Sequence, residues 1–321
     1  MSINDSLVVV IVAAAITYGT PLVFAALGEI LAERAGVINL GVEGMMLLGA
    51  VGASWVATDL AGPAAFVLPV ALVVAMLFAG AGALIHAYLT ITLRVNQIIS
   101  GLALTIFAGA AGVSSYLAGI WGLGKGPVPN QFDALDFFGL AEVPVVGPIL
   151  FAQSALTYLS WVAVVLVSVY LFRTRLGLQL RAVGESPQTA DSVGVNVART
   201  RYVHVLIGGA LAGIAGACFS LSIVPQWVNG MTSGQGWIAL ALVIFGFWRP
   251  DLMLVGAYLF GGLSSLRFTL QARGIDVPTA ILDSLPYLVT IIVLVVVSNS
   301  AARRRLGAPA ALGLPYEREE R

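Results

Sequence analysis

Charge is what this sequence has least of. Only 10 % of its residues are Asp, Glu, Lys or Arg, whereas 59 % are hydrophobic and the mean hydropathy is +0.96. A soluble domain carries roughly a quarter charged residues, so water is excluded as the solvent for most of this chain. Cysteine is nearly missing: Cys218 stands alone in an apolar run, which excludes an internal disulfide and leaves a packing thiol. Met1 to Asp5 contain no Lys or Arg, so the charged region of a cleaved signal peptide is lacking and the first apolar run is expected to stay. Basic and acidic residues balance at 16 each, so no net positive charge points to nucleic acid. Catalytic signatures are missing too: there is no G-x-x-x-x-G-K-[ST], H-E-x-x-H, Cys cluster or G-x-S-x-G. Energy for any work this chain does must come from another subunit.

What is present is a series of apolar runs near the roughly 20 residues that cross a bilayer. They are continuous rather than alternating with period two, which excludes a barrel and leaves helices, the other structure that satisfies its own backbone in lipid. The expected fold class is all-α: a polytopic membrane bundle of about nine transmembrane helices. The spans read Leu7 to Leu27, Gly41 to Thr58, Ala64 to Ile85, Ile98 to Leu117, Leu156 to Phe172, Val203 to Val224, Trp237 to Trp248, Met253 to Leu266 and Pro278 to Ser298. The seventh and eighth are short, which permits a broken or half-crossing helix. Gly80, Gly82, Gly209, Gly213 and Gly216 are spaced to let helices approach closely.

Orientation follows from retention of cationic loops in the cytoplasm. With Arg173 inside and spans alternating, every basic residue except Lys125, Arg267 and Arg273 falls inside, so the N-terminus is expected outside and the C-terminus cytoplasmic. The chain reads as one transmembrane unit, 1–321, with a long external connection at 119–154, an internal one at 173–201 and a cytoplasmic tail at 301–321. The tail is polar and reads as partly disordered. The external connection, rich in Gly and Pro, suits a lid, a surface for a soluble partner, or a passive loop.

The internal connection carries signals for two short helices. Leu176 to Val183 forms one, with Gly184 expected to close it in a left-handed conformation. Ser186 is a natural N-cap, Pro187 fits the first helical position and Gly194 closes the second helix. Helices of two turns need a surface to lie on, and the polar or small residues Gln188, Ala190 and Ser192 favour a protein partner over lipid headgroups.

Few polar residues sit within the apolar runs. Asn39, Glu43, Asn96 and Trp237 are the candidates for a translocation path. Each also has a structural reading: Glu43 at a helix N-terminus, the Asn residues and Gln97 in cross-helix hydrogen bonds, and Trp237 in an interfacial belt with Trp227 and Trp248. Asp283 reads as an interface residue or a functional acid. His86 and His204 are expected near inner helix ends, at the interface or as a proton relay.

Four stretches together resemble one family: G-E-I-L-A-E-R-A-G-V-I-N-L-G-V-E-G from Gly28, L-R-V-N-Q-I-I-S-G-L-A-L from Leu93, L-R-A-V-G-E-S-P from Leu180, and N-G-M-T-S-G-Q-G-W-I-A-L-A-L-V-I-F-G-F-W-R-P from Asn229. P-Y-L-V-T-I-I-V-L-V from Pro286 fits as well. They resemble the permease subunits of ATP-binding-cassette importers for nucleosides and simple sugars, a group that includes ribose-type permeases. The resemblance implies a type II importer fold with inverted repeats, here without its first helix. It implies that 173–201 holds coupling helices, with Gly177, Arg181, Ala182, Val183, Gly184, Glu185, Ser186, Pro187, Ala190 and Gly194 in the loop that seats in the ATPase. Closure of the ATPase dimer on ATP would then move this loop and tilt the bundle.

Where the family often has Arg after Gly in the fourth stretch, this chain has Gln235. The implied partners are an ATPase subunit that binds the ATP, a second permease, an extracytoplasmic binding lipoprotein and a small-molecule substrate, with no cofactor of this chain's own. The implied location is the plasma or inner membrane of a bacterium. A nucleoside is the first expectation for cargo, a pentose or similar sugar the second, and branched-chain amino acids fit less well. An ion-coupled secondary transporter, the reading from another class, would need a buried acid and a His relay that the sequence does not display.

Overall fold

The structure is a computed structural model that describes residues 6–136, 139–272, 274, 277–297 and 307–318. It consists of α1 (Leu7–Arg34), α2 (Val42–Asp59), α3 (Ala64–Ala87), α4 (Gln97–Ala108), α5 (Val113–Ile120), α6 (Ala155–Arg173), α7 (Arg175–Glu185), α8 (Pro187–Ser192), α9 (Val197–Cys218), α10 (Gln235–Phe245), α11 (Pro250–Ala272) and α12 (Thr279–Val297). Among the described residues there is no strand beyond the single bridge Ala134 to Ser154. Turns of π-helix extend α3 through Thr92 and α9 through Ile223.

Glycine explains the arrangement of the centre. α9 lies against α1, α2 and α3 with its small residues inward, and a methyl group at Gly28 would stand 2.5 Å from the Gly208 carbonyl oxygen. One at Gly49 would stand 2.5 Å from the Gly213 Cα, and one at Gly216 would overlap the Met46 carbonyl. Backbones therefore touch, which is how helices associate where lipid removes the hydrophobic drive. Gly80 departs from its expected role: nothing lies within 4 Å of a methyl placed there. Cys218 is buried in the core as a free thiol.

Among the described residues, five helical stretches are long and apolar enough to cross a bilayer: Leu7–Arg34, Ala64–Thr92, Gln97–Ile120, Ala155–Arg173 and Val197–Ile223. The expected seventh span is only Gln235–Phe245. At 1.5 Å per residue it rises about 16 Å, half the roughly 30 Å of hydrocarbon. The expected fourth span is divided into α4 and α5 by the break at 109–112.

The end of the bundle that carries α7 and α8 is termed basal and the opposite end distal. Where it is described, the connection 119–154 is tied to the distal end rather than hanging free. The amides of Val128 and Phe132 donate to the carbonyls of Pro225 and Leu221, at 2.8 and 2.7 Å, and Thr17 donates to Gln153 Oε1 at 3.0 Å. The tail is ordered where it is described. Residues 307–318 lie across the basal end in hydrogen-bonded contact with α7 and the α1 to α2 turn, against the expectation of disorder.

A candidate translocation site between interrupted helices

Two interruptions face each other. α4 starts at the basal end, where Gln97 Oε1 accepts from the Ile38 amide at 2.7 Å, and stops at Ala108 before a Gly109 to Gly112 turn. The second interruption is the segment between Ile223 and α10, where Gly230 and Gly234 adopt positive φ (70° and 81°). A methyl at Gly230 would stand 3.3 Å from Ala110, so the two breaks are in contact. Non-helical backbone at membrane depth is tolerated only where protein or a cavity satisfies it, and paired interruptions of this kind mark transporter binding sites.

Glu43 supplies that satisfaction. Its carboxylate accepts from the Thr232 hydroxyl at 2.6 Å and from the amides of Gly234 and Gly236 at 2.8 and 2.7 Å. These amides belong to the N-cap and the second residue of α10, where donors have no partner within the helix, and a negative group there also meets the positive end of the helix dipole. Gly236 is needed because a methyl would stand 2.7 Å from the Glu43 backbone. Glu43 thus pins the top of α10 to the first turn of α2.

Beside this junction, on its distal side, lies a cavity of about 460 Å³ between α1, the end of α9, the 224–234 segment, α10, α11 and α12. Its walls include Tyr18 and Phe268, stacked at 5.6 Å between ring centroids, together with Phe219 and Tyr287. Tyr287 donates to the Ser233 carbonyl at 3.0 Å. Gln235 and Ser264 line it too; Gln235 Nε2 donates to Ser264 Oγ at 3.4 Å, while Gln235 Oε1 is buried and has no partner among the described residues. The volume and the few polar groups within apolar walls are those of a small-molecule site.

The residues singled out from the sequence are dispersed. Among the described residues, neither Asn39, Asn96 nor Trp237 lines the cavity, and Glu43 reaches it only through Thr232. Asn39 is buried between Glu29, to which it donates at 3.1 Å, and the Gly41 amide. Asn96 is the exposed N-cap of α4, accepting from Ile98 and Ile99. Trp237 is 45 % exposed, whereas Trp227 and Trp248 are buried, which removes the latter two from an interfacial belt. The side chain of Asp283 lies outside the described residues.

His86 and His204 are buried between helices rather than interfacial. His86 meets Ser100 and the Ile38 carbonyl at 3.0 Å each; His204 meets Tyr170 at 2.7 Å. Buried acids are also present, contrary to expectation. Glu29 and Glu33, one turn apart on α1, are both enclosed. Glu33 accepts from Trp248 Nε1 at 2.6 Å, and one oxygen of Glu29 lacks a partner among the described residues. Their E-x-x-x-E spacing puts both on one helix face and was the available signal.

At the basal end, two short helices form where expected, and α8 follows its punctuation. Thr174 caps α7 by accepting from Gly177, Ser186 caps α8 by accepting from Thr189, Pro187 is the first residue of α8, and Gly194 has φ of 89°. Gly184 differs from expectation: it lies inside α7, and a methyl there would overlap the Arg34 carbonyl oxygen. The ten coupling candidates divide by exposure. Gly177, Val183, Gly184, Pro187 and Ala190 are buried against this chain. Ala182, Glu185 and Gly194 are exposed, Ser186 is half-buried, and Arg181 lies over the Phe172 ring at 5.5 Å.

Residues 11–297 match the family described as branched-chain amino acid transport system, permease component. Three relatives resemble nearly the whole chain. TsgC13 of Haloferax volcanii, provisionally named a glucose ABC transporter permease protein, is 40 % identical over 95 % of this chain and 97 % of its own length. The nucleoside ABC transporter permease protein NupC of Lactococcus lactis subsp. cremoris is 36 % identical over 96 % of both. The guanosine ABC transporter permease protein NupQ of Bacillus subtilis is 34 % identical over 97 % of this chain and 98 % of its own. No solved structure matches the chain. With the family matched over nearly all its length and relatives that are ABC transporter permeases, this chain belongs to that family and is a multi-pass permease subunit of an ABC transporter.

Proposed function

We propose that this permease imports a nucleoside, received from an extracytoplasmic binding lipoprotein and passed through the cavity beside Gln235. The carrying observation is that cavity: aromatic side chains in its walls suit a flat heterocycle, and the Gln235 amide oxygen, unpartnered among the described residues, suits a ring or ribose donor. The distal end faces outward and the basal end the cytoplasm, as the clustering of Arg residues at 173–201 supports. The facing interruptions, one in each half of the chain, support the inverted-repeat fold of type II importers. A second permease pairs with this one, as the resemblance to the nucleoside branch supports. ATP is bound and hydrolysed by a separate subunit seated on α7 and α8, and this chain alone hydrolyses none. A simple sugar is the second reading, favoured by the name given to TsgC13.

Two measurements test these assignments. In the reconstituted transporter, labelled guanosine, ribose and glucose compete for uptake, and a nucleoside is expected to win. Gln235→Leu is then expected to raise KM roughly tenfold, the cost of about one hydrogen bond lost in a buried site, with little change in kcat. Uptake of glucose alone, or an unchanged KM in that variant, removes the nucleoside assignment of the cavity. Gln188→Trp, on the exposed face of α8, is expected to cut the ATPase recovered with the membrane-inserted permease by on the order of tenfold. Full recovery with full transport places the ATPase elsewhere.

A further inference from the structure

Residues 307–318 cross the basal end and touch nearly every element there. The Ala311 amide donates to the Gly184 carbonyl at 2.9 Å, and the Gly313 amide to the Gly36 carbonyl at 3.1 Å. Arg34 Nη1 donates to the Gly307 carbonyl at 3.0 Å, and Arg201 Nη1 to the Leu314 carbonyl at 3.1 Å. Glu317 pairs with Arg94 before α4, and Arg318 lies 3.4 Å from Asp191 on α8. Tyr316 packs on Val183, Ala190 and Val197, one residue each from α7, α8 and α9.

Two of these contacts are more than surface adhesion. Arg201 is 2 % exposed and among the described residues has no carboxylate partner; carbonyls of Ala35 and Leu314 carry its hydrogen bonds. A buried cation that loses an acceptor is costly, which holds the segment down. Arg34 joins the segment to the rest of the path: its Nη2 donates to the Trp248 carbonyl at 3.2 Å, and Trp248 in turn donates to Glu33. Trp248 follows the basal end of α10, and the opposite end of α10 is Gln235 at the cavity.

We infer that residues 307–318 are a tie that makes α7, α8, the end of α1 and the foot of α10 move as one block, so that thrust on α7 and α8 reaches the cavity. The inference rests on the reading of α7 and α8 as the ATPase seat. Tyr316, Arg201 and Arg34 are its positioning residues; none of them touches substrate.

The test uses the assembled transporter in proteoliposomes, with uptake and ATP hydrolysis measured together. A chain ending at Leu306 is expected to retain its ATPase subunit while ATP spent per substrate carried rises roughly tenfold. Tyr316→Ala in the full chain is expected to raise the same ratio by a smaller factor. A ratio unchanged from wild type in the shortened chain overturns the tie. Should the shortened chain fail to insert, the ratio in Tyr316→Ala decides, and an unchanged value overturns the tie equally. Failure of the ATPase-seat reading shows separately, as full recovery of ATPase with Gln188→Trp.

Discussion

Glu43→Ala is expected to collapse the junction beneath the cavity, lowering the melting temperature in detergent by on the order of 10 °C and reducing uptake to background. The alanine leaves the amides of Gly234 and Gly236 without their acceptor at a depth where water does not replace it. Each buried donor left unsatisfied costs about 1–3 kcal/mol, so the pair costs about 2–6 kcal/mol. That is a large share of the roughly 5–15 kcal/mol that holds a typical domain folded. The Thr232 hydroxyl loses its acceptor as well. Glu43→Gln keeps one carbonyl oxygen of the same reach but loses the charge that favours the helix N-terminus, so it is expected to fall between wild type and alanine. The ordering separates pinning from a passive role in the path: a residue that merely lined the route would change KM and leave the melting temperature alone. An alanine variant that melts and transports like wild type would sink this account of Glu43.

How much of this was legible depends on how far apart the partners lie in the chain. The start of α8 was readable because Ser186 and Pro187 act on residues within one turn of themselves. The apolar runs were readable because crossing a bilayer imposes a length on contiguous residues. The half-length of α10 was only permitted, not required, by its sequence; what caps its start is Glu43, which lies on α2 and receives the amides of Gly234 and Gly236. The cavity was half legible. Gln235 and Tyr287 stand in recognisable stretches, but Tyr18 and Phe268 come from two other helices with no local pattern to join them. The tail misled for a physical reason: its composition is that of a disordered segment, yet its backbone carbonyls are the acceptors that two buried guanidinium groups need. Such a role belongs to the main chain and leaves no signature in side-chain identity. Glu29 and Glu33 were visible as a helix-face pair, but their enclosure depends on Asn39 and Trp248.

Gly184→Val is expected to abolish uptake for a reason internal to this chain. The sequence suggests that Gly184 ends a helix, in which case any residue tolerant of positive φ, such as Asn, would serve. The structure instead runs α7 through Gly184, where the missing side chain lets the helix lie directly on the Arg34 carbonyl, with the Pro309 side chain 3.2 Å from the place a methyl would take. A methyl would already overlap backbone, so even Gly184→Ala must push α7 away from α1, and Gly184→Asn gains nothing from its conformational tolerance. α7 is short and cannot persist without a surface. Displacing it also stretches the Ala311 to Gly184 hydrogen bond and takes the tail with it. Uptake is therefore expected to fall roughly tenfold for alanine and to background for valine, as overpacking against rigid backbone predicts. Glu185, next in the chain but exposed, is expected to accept glutamine with little change in permease yield. Uptake scored against membrane-inserted protein in the four variants decides the matter: wild-type transport by Gly184→Asn with loss in Gly184→Ala would restore the helix-ending role, and wild-type transport by Gly184→Val would remove both.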